Sequence, residues 1–287
     1  RTMRKQLWRR LAACCAALLC LTVLSGTAHA VDYETEKAIA ALWHAAPRPA
    51  VSIPLLKETP KLDGILDDAV WQRATQVNAF KNIRYGLMRG QEKLTTGYSL
   101  SDAQTMVYTF RTADALYVAY RAEEPEIEAL HLDYMKRDGR LWANDCVELF
   151  IQPRSKLIYQ FITDANGSLF DMKYEGPKKD RGWNLADADK SFAGKVHKNK
   201  QDLKKSYWVV EARIPLEQIG GTPKPGAVWR GNYCRERYAP RYKNYGELSS
   251  WSGTLAGFSE DKYYGDWTFH AIAWRAPKVT TADDLSH

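Results

Sequence analysis

The chain has 287 residues, with 41 Lys and Arg against 34 Asp and Glu and a formal net charge of +7. Five of the basic residues (Arg1, Arg4, Lys5, Arg9, Arg10) sit at the N-terminus, just before and at the start of an apolar run. Without them the bases and acids nearly balance, which removes the electrostatic case for nucleic-acid binding.

Residues 1–30 read as a secretory signal peptide. A basic stretch through RKQLWRR leads into the apolar LAACCAALLCLTVL, and SGTAHA ends in small residues at Ala28 and Ala30. Cleavage is expected after Ala30, and the apolar run falls short of the roughly 20 residues of a membrane span. The expected location is therefore periplasmic or extracellular, with no membrane span. Cys14, Cys15 and Cys20 would leave with this segment, and Cys146 and Cys234 would remain. An oxidising compartment could join those two as a disulfide. Both also sit in apolar, strand-like runs, where an unpaired buried Cys is equally at home.

Residues 31–50 have helix-forming composition that breaks at Pro47 and Pro49, which reads as a spacer or short helix. From Val51 the texture changes to short runs of β-branched, aromatic and alternating residues. The expected strands are 105–112, 115–122, 146–153, 157–164, 169–174, 207–215 and 229–237. DDAVWQRA (67–74) and PLEQIG (215–220) read as short helical turns. Strands at this spacing, separated by turn residues such as Asn166-Gly167, predict an all-β domain over residues 51–276. Its form is an antiparallel two-sheet β-sandwich, jelly-roll-like, with a few short helical turns. Residues 277–287 read as a flexible tail.

The chemistry-bearing residues narrow the function. The His residues show no zinc-ligand spacing, and there is no GxSxG nucleophile elbow or phosphate-binding glycine loop. Asp133, Asp138, Asn144 and Asp145 fall in one loop whose oxygens suit a structural calcium ion, and equally a solvated acidic loop. Nine of the ten Trp lie beyond residue 30. Some of these could stack on sugars, while others must fill a β-sandwich core.

The stretch RDGRLWANDCVELFIQP (137–153) concentrates the question. Alternation along a strand from Cys146 turns Val147, Leu149 and Ile151 towards a core and Glu148 to the opposite face. Trp142 would then stand beside Glu148 at the edge of a groove, a ring and a carboxylate suited to a sugar's apolar face and its hydroxyls. The alternative is a core Trp, with Glu148 ion-paired to Arg235 or Arg237.

Seven segments together resemble the family 9 carbohydrate-binding modules. They are PKLDGILDDAVWQRA, FRTADALYVAYRAEEP, LWANDCVELFIQP, YQFITDANGSLFD, WVVEARIPLEQIG, WRGNYCRER and SSWSGTLAGFSEDKYYGDWTF, in the family's order across residues 60–270. The resemblance implies a β-sandwich, often calcium-stabilised, that binds poly- or oligosaccharides. Two Trp rings hold the sugar there, and a Glu, an Arg, a Gln and an Asn hydrogen-bond it. Trp142 matches the first Trp and Glu148 the Glu. Phe258 stands at the second Trp, Ile162 replaces the Arg, and Cys234 replaces the Gln, with Asn232 nearby. Gln160, Tyr159, Arg235 and Arg237 are candidate substitutes for the missing donors.

The sugar-binding set expected on this basis is Trp142, Glu148, Gln160, Asn232, Arg235 and Phe258, with Asp133, Asp138 and Asp145 as candidate metal ligands. The protein is expected to be non-catalytic and to serve polysaccharide breakdown, with secreted hydrolases as partners. Two other functions stay open. Related sandwich domains hold haem for electron transfer, and Met88, Met106, Met135, Met172, His131 and His270 are available as axial ligands. A secreted glycoside hydrolase would need two carboxylates flanking the scissile bond.

Overall fold

The computed structural model describes residues 47–83, 100–133, 135–154, 156–176, 178–238, 246–254 and 257–270. The expected signal peptide, most of the spacer, Met88 and the C-terminal tail lie outside the described residues. The chain divides into Arg1–Ala46 and Pro47–His287, and the architecture below is that of the second unit.

Fourteen strands are described: β1 (Ala50–Ile53), β2 (Thr75–Val77), β3 (Lys81–Asn82), β4 (Thr105–Arg111), β5 (Ala115–Glu123), β6 (Cys146–Arg154), β7 (Leu157–Asp164), β8 (Leu169–Glu175), β9 (Lys178–Asp180), β10 (Phe192–His197), β11 (Tyr207–Pro215), β12 (Val228–Arg237), β13 (Glu247–Ser250) and β14 (Gly265–Phe269). They form two sheets. The larger runs β1-β14-β12-β6-β7-β8-β9, with β13 on β12 and β3 on β13, and the smaller runs β10-β11-β5-β4-β2. Neighbouring strands pair antiparallel except β1 and β14, which run parallel. The helical segments are single 3₁₀ turns, including Trp71–Arg73 and Leu216–Ile219 within the expected turns. No described helix is long and apolar enough to cross a membrane.

Alternation along each strand sorts the side chains into layers. Val147, Leu149 and Ile151 of β6, Phe161 of β7 and Tyr233 of β12 face Val118 and Tyr120 of β5 and Trp208 of β11 to fill the space between the sheets. Among the described residues, apolar side chains occupy the space between the sheets where a haem would have to sit. A second apolar cluster, containing Phe150, Ile162, Phe170 and Met172, coats the other face of the larger sheet. A third, around Trp71, Phe110 and Tyr117, covers the outer face of the smaller one.

The LDG segment near the start of the domain is anchored by a buried carboxylate. Glu211 of β11 accepts hydrogen bonds from Asp63 N (2.9 Å), Gly64 N (2.7 Å) and Trp71 Nε1 (2.9 Å). Gly64 has φ +73°, and a Cβ there would sit 2.5 Å from Lys195 Cβ. Only glycine takes that backbone against that neighbour at no steric cost.

Arg235 and Arg237 also project between the sheets, on the face opposite Glu148. Arg235 pairs with Glu124 (3.0 Å) and donates to the Ala103 carbonyl (3.1 Å). Arg237 pairs with Glu124 (2.8 Å), Glu247 (3.1 Å) and Glu126. The cross-strand register explains the placement. Arg235 lies opposite Val147, a core-facing residue, whereas Glu148 lies opposite Cys234. Neither arginine reaches Glu148, so the ion pair of the alternative reading does not form, and Arg235, buried between the sheets, does not line the cavity described below as it would have to as a sugar ligand.

Candidate functional site

The second apolar cluster forms the floor of a cavity of about 470 Å³ on the outer face of the larger sheet. This lies within the roughly 300–1,000 Å³ of small-ligand sites. Several elements supply the residues. The 3₁₀ turn Leu141–Ala143 carries Trp142, the strands β6, β7, β8 and β12 carry the floor, the chain after β12 adds Tyr238, and the β13–β14 connection contributes Phe258 and Ser259. β9 and the residue after it place Lys179 and Arg181 at the edge.

Trp142 is half-buried, packed edge-on against Phe170 with ring centroids 5.5 Å apart and planes at 87°. Phe258 is almost fully covered, and the Tyr264 hydroxyl donates to its carbonyl at 3.0 Å. The rings leave the polar work to a short chain of groups. Gln160 Nε2 donates to Glu148 Oε2 at 2.8 Å, and Glu148 is hydrogen-bonded in turn to the carboxyl of Glu236. The Tyr238 hydroxyl lies 2.8 Å from Glu236 Oε2 and 2.9 Å from the Trp142 carbonyl, tying the turn to the floor.

Two carboxyl groups in contact cannot both ionise in such a place. Burial raises both, so the pair retains a proton between them, and Glu236 is raised the further. Burial, the charge of Glu148 and the hydrogen bond to it push Glu236 well above the usual carboxylate range, against the Tyr238 hydroxyl. Burial raises Glu148 less, because bonds from Glu236 and Gln160 stabilise its charge. While the pair shares a proton, the floor offers a carboxyl donor and a carboxylate acceptor beside an amide. It can both accept from and donate to a ligand hydroxyl.

The sequence matches the carbohydrate family 9 binding domain-like profile over residues 62–231. That stretch exceeds half of the chain. The protein belongs to the carbohydrate family 9 binding domain-like family. Trp142, Glu148, Gln160, Lys179 and Arg181 fall inside the matched stretch, and Glu236, Tyr238 and Phe258 lie beyond its end. Two solved structures share this family fold. One is a Bacteroides uniformis protein whose description proposes that it binds carbohydrate, at 13% identity and TM-score 0.58, covering 78% of this chain and 100% of that one. The other is a family 9 carbohydrate-binding module from Caldicellulosiruptor kristjanssonii, solved with glucose, at 15% identity and TM-score 0.50, covering 79% and 100%. No curated protein matches the sequence.

Of the expected sugar ligands, Trp142, Glu148, Gln160 and Phe258 line the cavity together, and Ile162 lines it where the resemblance places an Arg. Asn232 shares their sheet face, opposite Phe150, but is fully buried, with its Oδ1 accepting from Ser252 N at 3.1 Å. It does not line the cavity. Cys146 and Cys234 are both free. They sit diagonally on β6 and β12, Cys146 opposite Glu236 and Cys234 opposite Glu148, as apolar filler around the carboxyl pair.

The candidate calcium ligands do not converge. Both oxygens of Asp145 are occupied by backbone donors, His131 N at 2.7 Å and Tyr238 N at 2.9 Å. The Asp133 side chain is largely exposed beside His131 (3.3 Å), and Asp138 accepts from Asp171 N (3.4 Å) near the Arg137–Asp171 ion pair. Among the described residues no three His, Cys, Asp or Glu side chains group to hold a metal ion. The donors present do not fit the calcium that the family implies. The haem ligands are equally scattered. Met172 is in the cavity lining without a His beside it, and His131 is held by the Ala143 carbonyl at 2.9 Å.

Sequence reasoning missed Glu236, Tyr238, Phe170, Lys179 and Arg181, and offered Met172 only as a haem ligand. Alternation held the clue to Glu236. If Cys234 stands at a ligand position, the residue two further along the strand faces the same way.

Proposed function

We propose that the protein is an exported, non-catalytic carbohydrate-binding module that holds a poly- or oligosaccharide in this cavity and assists secreted hydrolases in polysaccharide breakdown. The observation that carries the reading is the meeting of an accessible Trp142 ring with the Gln160–Glu148–Glu236 chain in one cavity of ligand size. A ring packs on the C–H face of a sugar, while the carboxyl pair and amide exchange hydrogen bonds with its hydroxyls. Glucose bound to a module of the same fold supports this.

The same pair weighs against hydrolysis. A glycosidase needs its two carboxyl groups about 5 Å or more apart, with the bond to be cut between them. Here they hydrogen-bond directly to each other. Export rests on the N-terminal sequence pattern, and a mass measurement on the protein recovered from the periplasm or medium tests for cleavage after Ala30.

Binding is tested by calorimetric titration with glucose and with cello-, xylo- and manno-oligosaccharides, on the parent and on Trp142→Ala. A ring at the centre of a site contributes upwards of about 2 kcal/mol, so the variant should lose affinity by roughly thirtyfold or more for whichever sugar binds. Equal affinity in parent and variant would remove the ring from the site. Binding of no saccharide would overturn the reading.

A further inference from the structure

The cavity is not electrically neutral, and its charges are segregated. Its acidic lining is the Glu148–Glu236 pair at the floor, which carries one negative charge while it shares a proton. Its basic lining is Lys179 and Arg181 at the β9 edge. β-alternation puts both on the cavity side. Lys179 lies opposite Tyr174, with its ammonium 5.9 Å from that ring, and Asp180 between them points away to Lys173 at 4.0 Å. Both cations are exposed, and neither has a carboxylate partner among the described residues. What sets these two apart is their place, side by side in the lining of the cavity.

Two unpaired cations on the rim of a cavity, facing aromatic rings and a hydroxyl-binding floor, are a charge pattern that a neutral sugar does not use. We propose that the preferred ligand is an acidic oligosaccharide whose anionic substituent, a uronic acid carboxylate or a sulfate ester, lies against Lys179 and Arg181 while a neighbouring sugar unit occupies the Trp142–Glu148 end. This rests on the carbohydrate reading and narrows it. The separation sets the ligand's length. β6 and β9 are three strand spacings apart, about 14 Å across the sheet. Even with the reach of the Lys and Arg side chains, that span exceeds one sugar ring, so the acidic group belongs to a different unit from the one on Glu148. The planar guanidinium fork of Arg181 suits a carboxylate or sulfate, and an ammonium beside it adds charge without geometric demand. The arrangement also keeps the ligand's anion away from the ionised Glu148, which would repel it.

The test compares trigalacturonate, its fully methyl-esterified counterpart and a sulfated trisaccharide, by calorimetry at low and high salt. The parent and a Lys179→Gln/Arg181→Gln double variant are titrated in parallel. Each exposed ion contact is a modest and screened effect, so the expected advantage of the acidic sugar over its ester is about tenfold at low salt. That advantage should shrink at high salt and vanish in the double variant, which should no longer tell the acid from its ester. The galacturonate and sulfate arms separate the two anion chemistries. If the ester or the neutral oligosaccharides bind as well as the acid, independently of salt, the acidic-ligand inference falls and the carbohydrate reading stands. If no saccharide of either kind binds, both fall. Both substitutions are on exposed side chains, so circular dichroism of the variant should match the parent.

Discussion

Replacing Glu236 by Gln isolates the shared proton. An unfolded Glu titrates near 4.5, and the folded Glu236 well above that, through burial and the facing charge of Glu148. Between the two values the native protein holds a proton that the unfolded chain has released. Stability from this group is therefore complete below pH 4.5 and is lost as pH rises through the folded value, at up to about 1.4 kcal/mol per pH unit. Gln has no proton to release and presents an N–H donor to Glu148 in the same place. The assay is urea unfolding followed by Trp fluorescence for parent and variant from pH 4.5 to about 8, with stabilities taken from midpoint and slope. The difference between the two proteins is the informative quantity. Asp145, Asp164 and Asp171 are also raised by burial and tilt both curves. The variant should gain on the parent steadily with rising pH. Parallel curves would refute the shared proton, and a parent that gains on the variant would reverse its sign.

Two further outcomes follow from the core of the strand network. Arg237→Leu removes the partner of the buried Glu124 and Glu247 and should cost about 3–5 kcal/mol, read as a lowered urea midpoint. A loss below about 1 kcal/mol would mean that Arg235 alone neutralises the cluster. The thiols of Cys146 and Cys234, fully buried and pushed well above the usual thiol range chiefly by burial, should resist an aromatic disulfide reagent in the native protein. Peptide mapping should find them labelled only after denaturation, and rapid native labelling would show that the carboxyl face opens.

What was legible in the sequence was local. Long strands with strong alternation were expected within a residue or two of where they lie, β7 and β11 at the same bounds. Short or edge strands were not expected. β9 has three residues and β3 two, too few to show a period. The facing of Glu148 was readable from its own strand. Its partner was not, because which residue of β12 lies beside it depends on register between segments more than 80 positions apart. A one-residue difference in that register separates an arginine neighbour from a carboxyl neighbour and inverts the electrostatics of the site. The LDG and DDAVW segments, which helped to reveal the family, turn out to serve the fold through Glu211 rather than the cavity.

The parallel pairing of β1 with β14 has a mechanical consequence. The chain enters the sandwich at Ala50 and leaves it at Phe269 along the same edge of the larger sheet, and β9, with the cationic rim, is the opposite edge. Because the two strands run parallel, Ala50 and Phe269 lie at opposite ends of that edge, so a pull applied between them would load the β1–β14 hydrogen bonds together in shear, at the edge remote from the cations of β9.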